Sequence, residues 1–382
     1  MNKPSILICT VGTSLFQPNL EALKKGLSND GIKPEYRPLA EAYQRGDWPG
    51  VAKALRPLPA SDRVCGAEIN SIASLVEKEY IPADCGLFFL HSSTDKGRDI
   101  AAILKDYYLD KGHAPVETVE VEDLQDEDPK RFRTKGLRNL ARSVCCIVRE
   151  RSAAACAINA TGGYKAQIAV AVLLGQALGI PVFYKHELFS EIIAFPPLPV
   201  AFDFEVWMRA SGMLYDLERT SDPVPASTYA EEWQETYESL VERVPIDGQD
   251  YLELSPVGQI FHETFRERFR TDRSQVLPPK ALQKHPPRLE KGAGWPGEHP
   301  EVEAFMKKVT DEVEQVVQCA TFYFDPDLPQ RTRFRCGAKG IEGIYSDGRF
   351  TVKFRVESTA KTPGEQAAVV ASLNEWLSRR QT

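Results

Sequence analysis

The sequence predicts an α/β protein: a Rossmann-like, doubly wound domain first, a helical connector next, and a small α+β module with an antiparallel sheet last. Three observations carry this. Over about the first 200 residues, short and nearly continuous apolar runs alternate with amphipathic segments, the pattern of a mostly parallel sheet covered by helices on both faces. The middle of the chain is polar with helical spacing. The end switches to short strands of period two, broken by Gly-bearing turns.

In chain order, strands are expected at 5–11 (SILICTV), 86–91 (GLFFLH), 116–121 (VETVEV), 154–160 (AACAINA) and 181–185 (PVFYK). Segments 67–80, 96–108, 129–149 and 164–178 have the length and spacing of helices between them. Right-handed crossovers give the doubly wound sheet, which takes ligands at the carboxyl ends of its strands. The run FPPLP (195–199) closes this domain, set at 1–202. A helical connector follows over 203–275, with helices at 204–218, 228–244 and 256–269. The Pro- and Gly-rich stretch 276–300 reads as a linker or irregular lead-in. In the last module, 276–382, Pro300 starts a helix with Val302, Phe305, Met306, Val309, Val313, Val316 and Val317 on one face. Strands at 320–324, 331–336, 341–346 and 349–357 follow, with a final helix at 364–379. Asp347-Gly348 between two of these strands is a hairpin signal.

Composition sets limits on function. The 382 residues are 42% hydrophobic and 26% charged, ordinary for a chain that buries a sizeable core. No apolar window is long enough to span a bilayer, and the N-terminal run reads as a buried strand rather than a secretory signal. The 8 Cys include no C-x-x-C pair, and five of them sit inside apolar runs, so a reduced, cytoplasmic protein without a cysteine zinc site is expected. A net charge of −7 argues against a chain that coats nucleic acid with its whole surface. Between Arg331 and Arg355, however, seven basic residues face only two acidic ones.

Three polar loops leave the predicted parallel strands. The first, after Cys9, holds Gly12, Thr13 and Ser14; the second holds Ser92, Ser93 and Thr94; the third is Asn159-Ala160-Thr161-Gly162-Gly163-Tyr164-Lys165. Each enters a helical segment, so backbone donors, hydroxyls and the charge of Lys165 converge on one sheet edge, where an anionic, nucleotide-like ligand fits. Helix capping accounts for Ser92, Ser93 or Thr161 taken singly. Neither G-x-G-x-x-G nor a Walker A motif is present.

These loops, with GAEINSI at 66–72, make the first 200 or so residues resemble a CRISPR-associated Rossmann fold (CARF) domain. The resemblance implies a homodimer that binds a cyclic oligoadenylate, commonly cyclic tetra-adenylate, across its two-fold axis. Gly12, Thr13 and Ser14 match the family's first ligand loop, and Asn159, Thr161, Gly162, Gly163 and Lys165 its last. Some relatives also cleave the ring slowly.

A sensor implies an effector in the rest of the chain. None of His262, His285 and His299 has an Arg four to six residues upstream, so a HEPN ribonuclease is excluded. Glu357 and Lys361 have the wrong spacing for a PD-(D/E)xK nuclease. With period two, Arg331, Arg333 and Arg335 share one strand face, as do Arg349, Thr351, Lys353 and Arg355, while Phe and Val fill the other. The nearly unopposed basic face suits RNA phosphates. This arrangement looks like a RelE-type mRNA interferase. The resemblance implies metal-independent, cofactor-free cleavage of mRNA, characteristically on the ribosome, with attack by the ribose 2′-OH. Arg333, Arg335, Lys353 and Arg355 then serve phosphate binding and proton transfer, and Tyr345 stacks on a base. Two other readings stay open. A winged helix around Leu252–Gly258 would make the chain a ligand-controlled DNA-binding regulator, and a ring nuclease would only degrade the cyclic nucleotide.

Overall fold

A computed structural model describes residues 3–27, 31–125, 127–186, 191–198, 202–220, 222–289, 299–326 and 330–380. The chain divides into two compact units, Met1–Ala201 and Phe202–Thr382. Among the described residues no helix is long and apolar enough to cross a membrane.

The first unit is built on six strands: β1 (Ile6–Thr10), β2 (Gly86–Ser92), β3 (Val116–Val121), β4 (Cys156–Asn159), β5 (Val182–Lys185) and β6 (Ile192–Phe195). Their order is β3-β2-β1-β4-β5-β6, parallel throughout except for the antiparallel edge strand β6. The predicted α/β class and the Rossmann-like sheet of this unit are therefore the observed ones. Residues between β1 and β2 form α1 (Glu21–Leu27), α2 (Arg37–Arg45), α3 (Trp48–Leu55) and α4 (Gly66–Glu77). The later crossovers are α5 (Asp95–Leu109), the single turn α6 (Pro129–Arg131), α7 (Leu137–Arg151) and α8 (Lys165–Leu178). The helix expected over 129–149 is interrupted by a wide turn at Phe132–Gly136. One core joins Leu7 and Cys9 of β1, Leu87 and Phe89 of β2, Ile69 and Ile72 of α4 and Tyr107 of α5. Their burial explains why the central strands read as continuous apolar runs rather than alternating ones.

In the second unit, α9 (Phe204–Arg219) leads into β7 (Val224–Pro225), two 3-10 turns (Ala226–Tyr229 and Glu235–Leu240), the hairpin β8 (Val241–Ile246) and β9 (Gln249–Leu254), and α10 (Pro256–Val276). The strands pair in the order β7-β9-β8. Here the expectation of a helical connector fails twice. The helix expected over 228–244 is replaced by the 3-10 turns and β8. Asp247 and Gly248 both take positive φ, 48° and 79°, the tight-turn geometry that a Asp-Gly pair between strands favours. Moreover, these residues are not a separate spacer: Trp207, Leu214, Leu252 and Phe265 share one core with Ala367, Ala368 and Ala371 near the C-terminus.

The rest of the unit is α11 (Pro300–Glu312), β10 (Val316–Asp325), β11 (Arg333–Gly337), β12 (Gly340–Ser346), β13 (Thr351–Ser358) and α12 (Pro363–Ser378). The strands form an antiparallel sheet in the order β10-β13-β12-β11. Val316 and Val317, expected on the helix, already belong to β10. One sheet face packs Phe334, Val352, Phe354 and Val356 against Val302, Met306 and Val309 of α11 and Val369 and Leu373 of α12. Both sheet edges are closed. Ala281, His285 and Arg288 donate backbone N–H groups to Glu314, Val317 and Cys319 carbonyls, so part of the presumed linker straps the β10 side. Residues 290–298 of that linker lie outside the described residues. On β11, the Asn374 amide of α12 accepts from the Phe334 N–H and donates to its carbonyl, both at 2.9 Å. A side-chain amide thereby stands in for a missing strand partner.

Candidate functional sites

β1 and β4 are neighbours, yet they lead to opposite sides of the strand order, the place where open α/β sheets bind ligands. The loops after them are locked together. Thr10 Oγ1 donates to the Gly162 carbonyl at 2.6 Å, and the Gly12 N–H donates to Glu68 Oε1 at 2.7 Å. A Cβ on Gly12 would lie 2.5 Å from the Gly163 nitrogen, and one on Gly162 would lie 2.2 Å from Glu68 Oε1. These glycines therefore let two loops and a carboxylate meet; the Gly12 N–H is not offered to a ligand. Burial raises the Glu68 carboxyl to about 7. Its Oε2 has no partner among the described residues.

Above this layer lies a cavity of about 380 Å³, bounded by the β1 loop, one face of α4 and the end of β5. Ser14 and Thr161 line it, as the sequence predicts. Asn70, Ser74 and Glu77 of α4, Arg63 before it, and Lys185 and His186 after β5 complete the wall. A chain of hydrogen bonds fixes this wall. Lys185 donates from Nζ to Ser74 Oγ (2.8 Å) and from its backbone to Thr161 Oγ1 (3.0 Å). Thr161 donates to Asn159 Oδ1 (2.6 Å), and Asn159 Nδ2 donates to the Ser71 hydroxyl (2.8 Å). Asn159 is thus buried and holds Thr161 rather than facing the cavity. Ser14 Oγ also accepts the Ala67 N–H at 2.9 Å, tying the loop to the start of α4.

Other expected ligand residues lie elsewhere. Thr13 is exposed on the loop, and Lys165 is exposed at the start of α8; neither lines the cavity. In the second loop, Thr94 caps α5 by accepting the Gly97 N–H at 3.1 Å, and Ser92 Oγ bonds to Thr94 Oγ1 at 2.8 Å. The Ser93 carbonyl accepts from Arg98. Capping describes that loop, and it contributes no cavity wall. Lys185-His186 was readable in principle: it is a basic pair leaving the carboxyl end of a parallel strand. Asn70, Ser74 and Glu77 have one-face helical spacing, but nothing in the sequence says which face of α4 stays open.

The second candidate site is the sheet face of the second unit away from α11 and α12. Across it, Arg333 stands opposite Ile344, which stands opposite Lys353, which stands opposite Tyr323. In the next row Arg335 stands opposite Glu342, itself opposite Arg355. The two strands do present Arg and Lys on one face, but the face is not an open, unopposed basic surface. Arg333 is 1% exposed; it donates from Nε to Glu232 Oε1 (2.8 Å) and from Nη2 to the Thr228 carbonyl (2.6 Å), and lies over the Tyr229 ring. Arg335 is buried and donates to Glu342 Oε2 (3.0 and 2.8 Å) and to Glu231. Lys353 donates to both Glu231 oxygens at 2.9 and 3.0 Å. Hydrogen bonds from Lys353 and Arg335 hold the Glu231 carboxyl down at about 2. Arg355 is exposed and, among the described residues, has no carboxylate partner.

Tyr345 is the clearest correction. It pairs with Val352 on the helix-covered face, and its ring centroid lies 4.9 Å from that of Phe305. It cannot stack on a base bound to the polar face. Two other aromatics can. A register shift between Thr321 and Tyr323 turns both Phe322 and Tyr323 outward, 42% and 41% exposed. Arg355 lies over the Phe322 ring at 5.8 Å and Lys353 over the Tyr323 ring at 5.0 Å. Sequence reasoning missed them because a bulge breaks the period-two rule on which it relied.

Comparison with known families bears on the first site. No curated protein matches the chain. Residues 63–198 match the model of a CRISPR-associated protein family, Cas_APE2256, and this stretch supplies Arg63, Asn70, Ser74, Thr161, Lys185 and His186 of the cavity.

Proposed function

We propose that the chain is a sensor–effector of CRISPR-linked defence, a cyclic oligoadenylate-activated endoribonuclease, with cyclic tetra-adenylate as the activator. The observation that carries the sensor half is the cavity at the β1/β4 crossing, walled by Lys185, Arg63 and hydroxyl groups within the stretch matched to a CRISPR-associated family. Its volume, about 380 Å³, is at the low end for pockets that enclose one small molecule, roughly 300–1,000 Å³. It is too small for a four-nucleotide ring, so in this reading each of two copies encloses one nucleotide of the ring and the remaining two lie outside the cavities.

The effector half rests on the α-covered antiparallel sheet with cations and two aromatics on its other face. Cleavage transfers a phosphoryl group from the 5′-oxygen to the adjacent 2′-oxygen. The 2′-O–P bond forms, the P–O5′ bond breaks, the 2′ proton leaves and the 5′-oxygen gains one; the products are a 2′,3′-cyclic phosphate and a 5′-hydroxyl. No metal or cofactor enters this balance. Arg335, Lys353 and Arg355 stabilise the charge on the five-coordinate phosphorus. Phe322 and Tyr323 take over the stacking role expected of Tyr345, and Arg333 anchors the fold.

The test mixes the purified full chain with ribosomes translating a defined mRNA, with and without cyclic tetra-adenylate, and maps new RNA ends. Cuts at the ribosomal A site that require the activator support both halves. Tight activator binding with no cuts on translating or naked RNA retains the sensor and rejects the ribonuclease.

A further inference from the structure

The order α9-β7-turn-turn-β8-β9-α10, with strands paired β7-β9-β8, is the order of a winged helix in which the two middle helices have shrunk to 3-10 turns. In a DNA-binding version this segment would carry a basic helix for the groove. Residues 226–240 instead hold Glu231, Glu232, Glu235 and Glu238 and no Lys or Arg. That charge opposes a DNA backbone. It suits the basic sheet face, and there the segment sits.

Two neighbouring glutamates meet that face differently. Glu232 is 7% exposed in its side chain and pairs with the wholly buried Arg333, a permanent part of the core. The Glu231 side chain is 58% exposed, yet its two oxygens span Lys353 and Arg335. Of the three groups only the carboxylate is reached by solvent, whereas Arg335 and Lys353 are buried, so Glu231 is the member that an incoming anion can replace. When it leaves, Arg335 keeps its bonds to Glu342 and so keeps its orientation. Lys353, whose only carboxylate partner among the described residues is Glu231, becomes free. The vacated seat has two cations spaced for one anion, with the Tyr323 ring beside Lys353 and the Phe322 ring beside Arg355. A phosphate with a neighbouring base matches those groups.

We propose that Glu231 is a built-in phosphate mimic: its carboxylate occupies the seat between Lys353 and Arg335 that a phosphodiester of single-stranded RNA takes, with Phe322 and Tyr323 as the base-stacking platform. The acidic 226–240 segment thereby restrains the effector until it is displaced. The restraint rests on the ribonuclease reading above, but the seat is tested without cleavage.

The probe is a fluorescein-labelled, single-stranded 2′-O-methyl oligoribonucleotide, which lacks the attacking hydroxyl, titrated by anisotropy into the full chain without activator. Glu231→Ala and Glu231→Gln each tighten binding tenfold or more, and steepen the salt dependence by about 0.7 in log K per log salt for the added phosphate contact. Adding Lys353→Ala to Glu231→Ala abolishes the gain. Glu235→Ala, which removes an equal charge from the same segment, changes affinity less than threefold. Unchanged affinity in both Glu231 variants overturns the proposal, whatever the wild type does to RNA. Equal tightening by Glu235→Ala also overturns it, because general repulsion then explains the effect. A gain in binding with no cleavage of native RNA by any variant keeps the seat and the mimic while rejecting the ribonuclease. Activator-dependent cleavage by the wild type with no gain in the variants does the reverse.

Discussion

The two candidate sites use their polar residues in opposite ways. In the first unit, the motif residues Gly12, Asn159 and Gly162 are consumed in building the crevice, and the groups that face the cavity come mainly from α4 and from the end of β5. In the second unit, the predicted cations do stand on the polar face, but carboxylates from about a hundred residues upstream meet them there. Topology creates the first site, since it follows from which strands are neighbours. Long-range charge pairing conceals the second. Where a strand is regular, reading its face is therefore enough to say where a side chain points, and not enough to say what it meets; at the β10 bulge even the first step fails.

The largest effect that would break this comparison belongs to Arg333. Arg333→Ala leaves Glu232 buried without its cation, and losing one partner of such a pair costs about 3–5 kcal/mol. Urea denaturation should show that loss, and replacing both residues by apolar ones of similar volume should recover most of it. A stable Arg333→Ala protein that fails to cut RNA would return Arg333 to the catalytic role the sequence suggests.

Glu68 offers the next largest effect, in the first unit. Burial raises its carboxyl from 4.5 to about 7. Folded protein then holds the proton through a range where unfolded chain has lost it. The resulting stability is complete below about pH 4.5, declines as pH rises, and is gone above about pH 7; the span is worth on the order of 3 kcal/mol. Glu68→Gln keeps an acceptor for the Gly12 N–H and removes the titration. Its denaturation midpoint should match wild type near pH 4.5, exceed it at pH 8, and flatten the slope between. A slope that persists in Glu68→Gln would place the titrating group elsewhere.

Much of the architecture was legible for reasons these residues make plain. The runs ILICTV and GLFFLH are buried on both faces, so hydropathy alone marks β1 and β2. α1 to α3 went unread, because the Gly- and Pro-rich stretch from 15 to 60 blurs their periodicity, and β6 is a four-residue edge strand with exposed positions. Asp247-Gly248 carried a hairpin signal as plain as Asp347-Gly348, but Glu-rich flanks with helical spacing outweighed it. In the cavity, Ser14 and Thr161 were legible from strand ends. Lys185 satisfies the same rule and went unnamed.

Lys185 and Lys165 sharpen the contrast within one site. Both follow the parallel strands, yet Lys185 lines the cavity and Lys165 projects from the start of α8. Titration calorimetry with cyclic tetra-adenylate should show at least a tenfold loss for Lys185→Ala, about 1.4 kcal/mol, and a change within twofold for Lys165→Ala. The reverse order would move the ligand to the α8 N-terminus that the motif alone suggests.

The smallest effect concerns two threonines of the same apparent type. Thr161 bonds into the cavity wall, whereas Thr94 accepts the Gly97 N–H as the cap of α5. A cap lost to alanine costs about 1 kcal/mol. Thr94→Ala should therefore lower the denaturation midpoint and leave cyclic tetra-adenylate affinity unchanged, and Thr94→Ser should restore stability because serine caps as well. An affinity loss of tenfold at unchanged stability would mean that the second loop closes over the ligand. The capping hydrogen bond would then be a resting position for a binding residue, and the cavity would be larger in the bound protein than its present walls suggest.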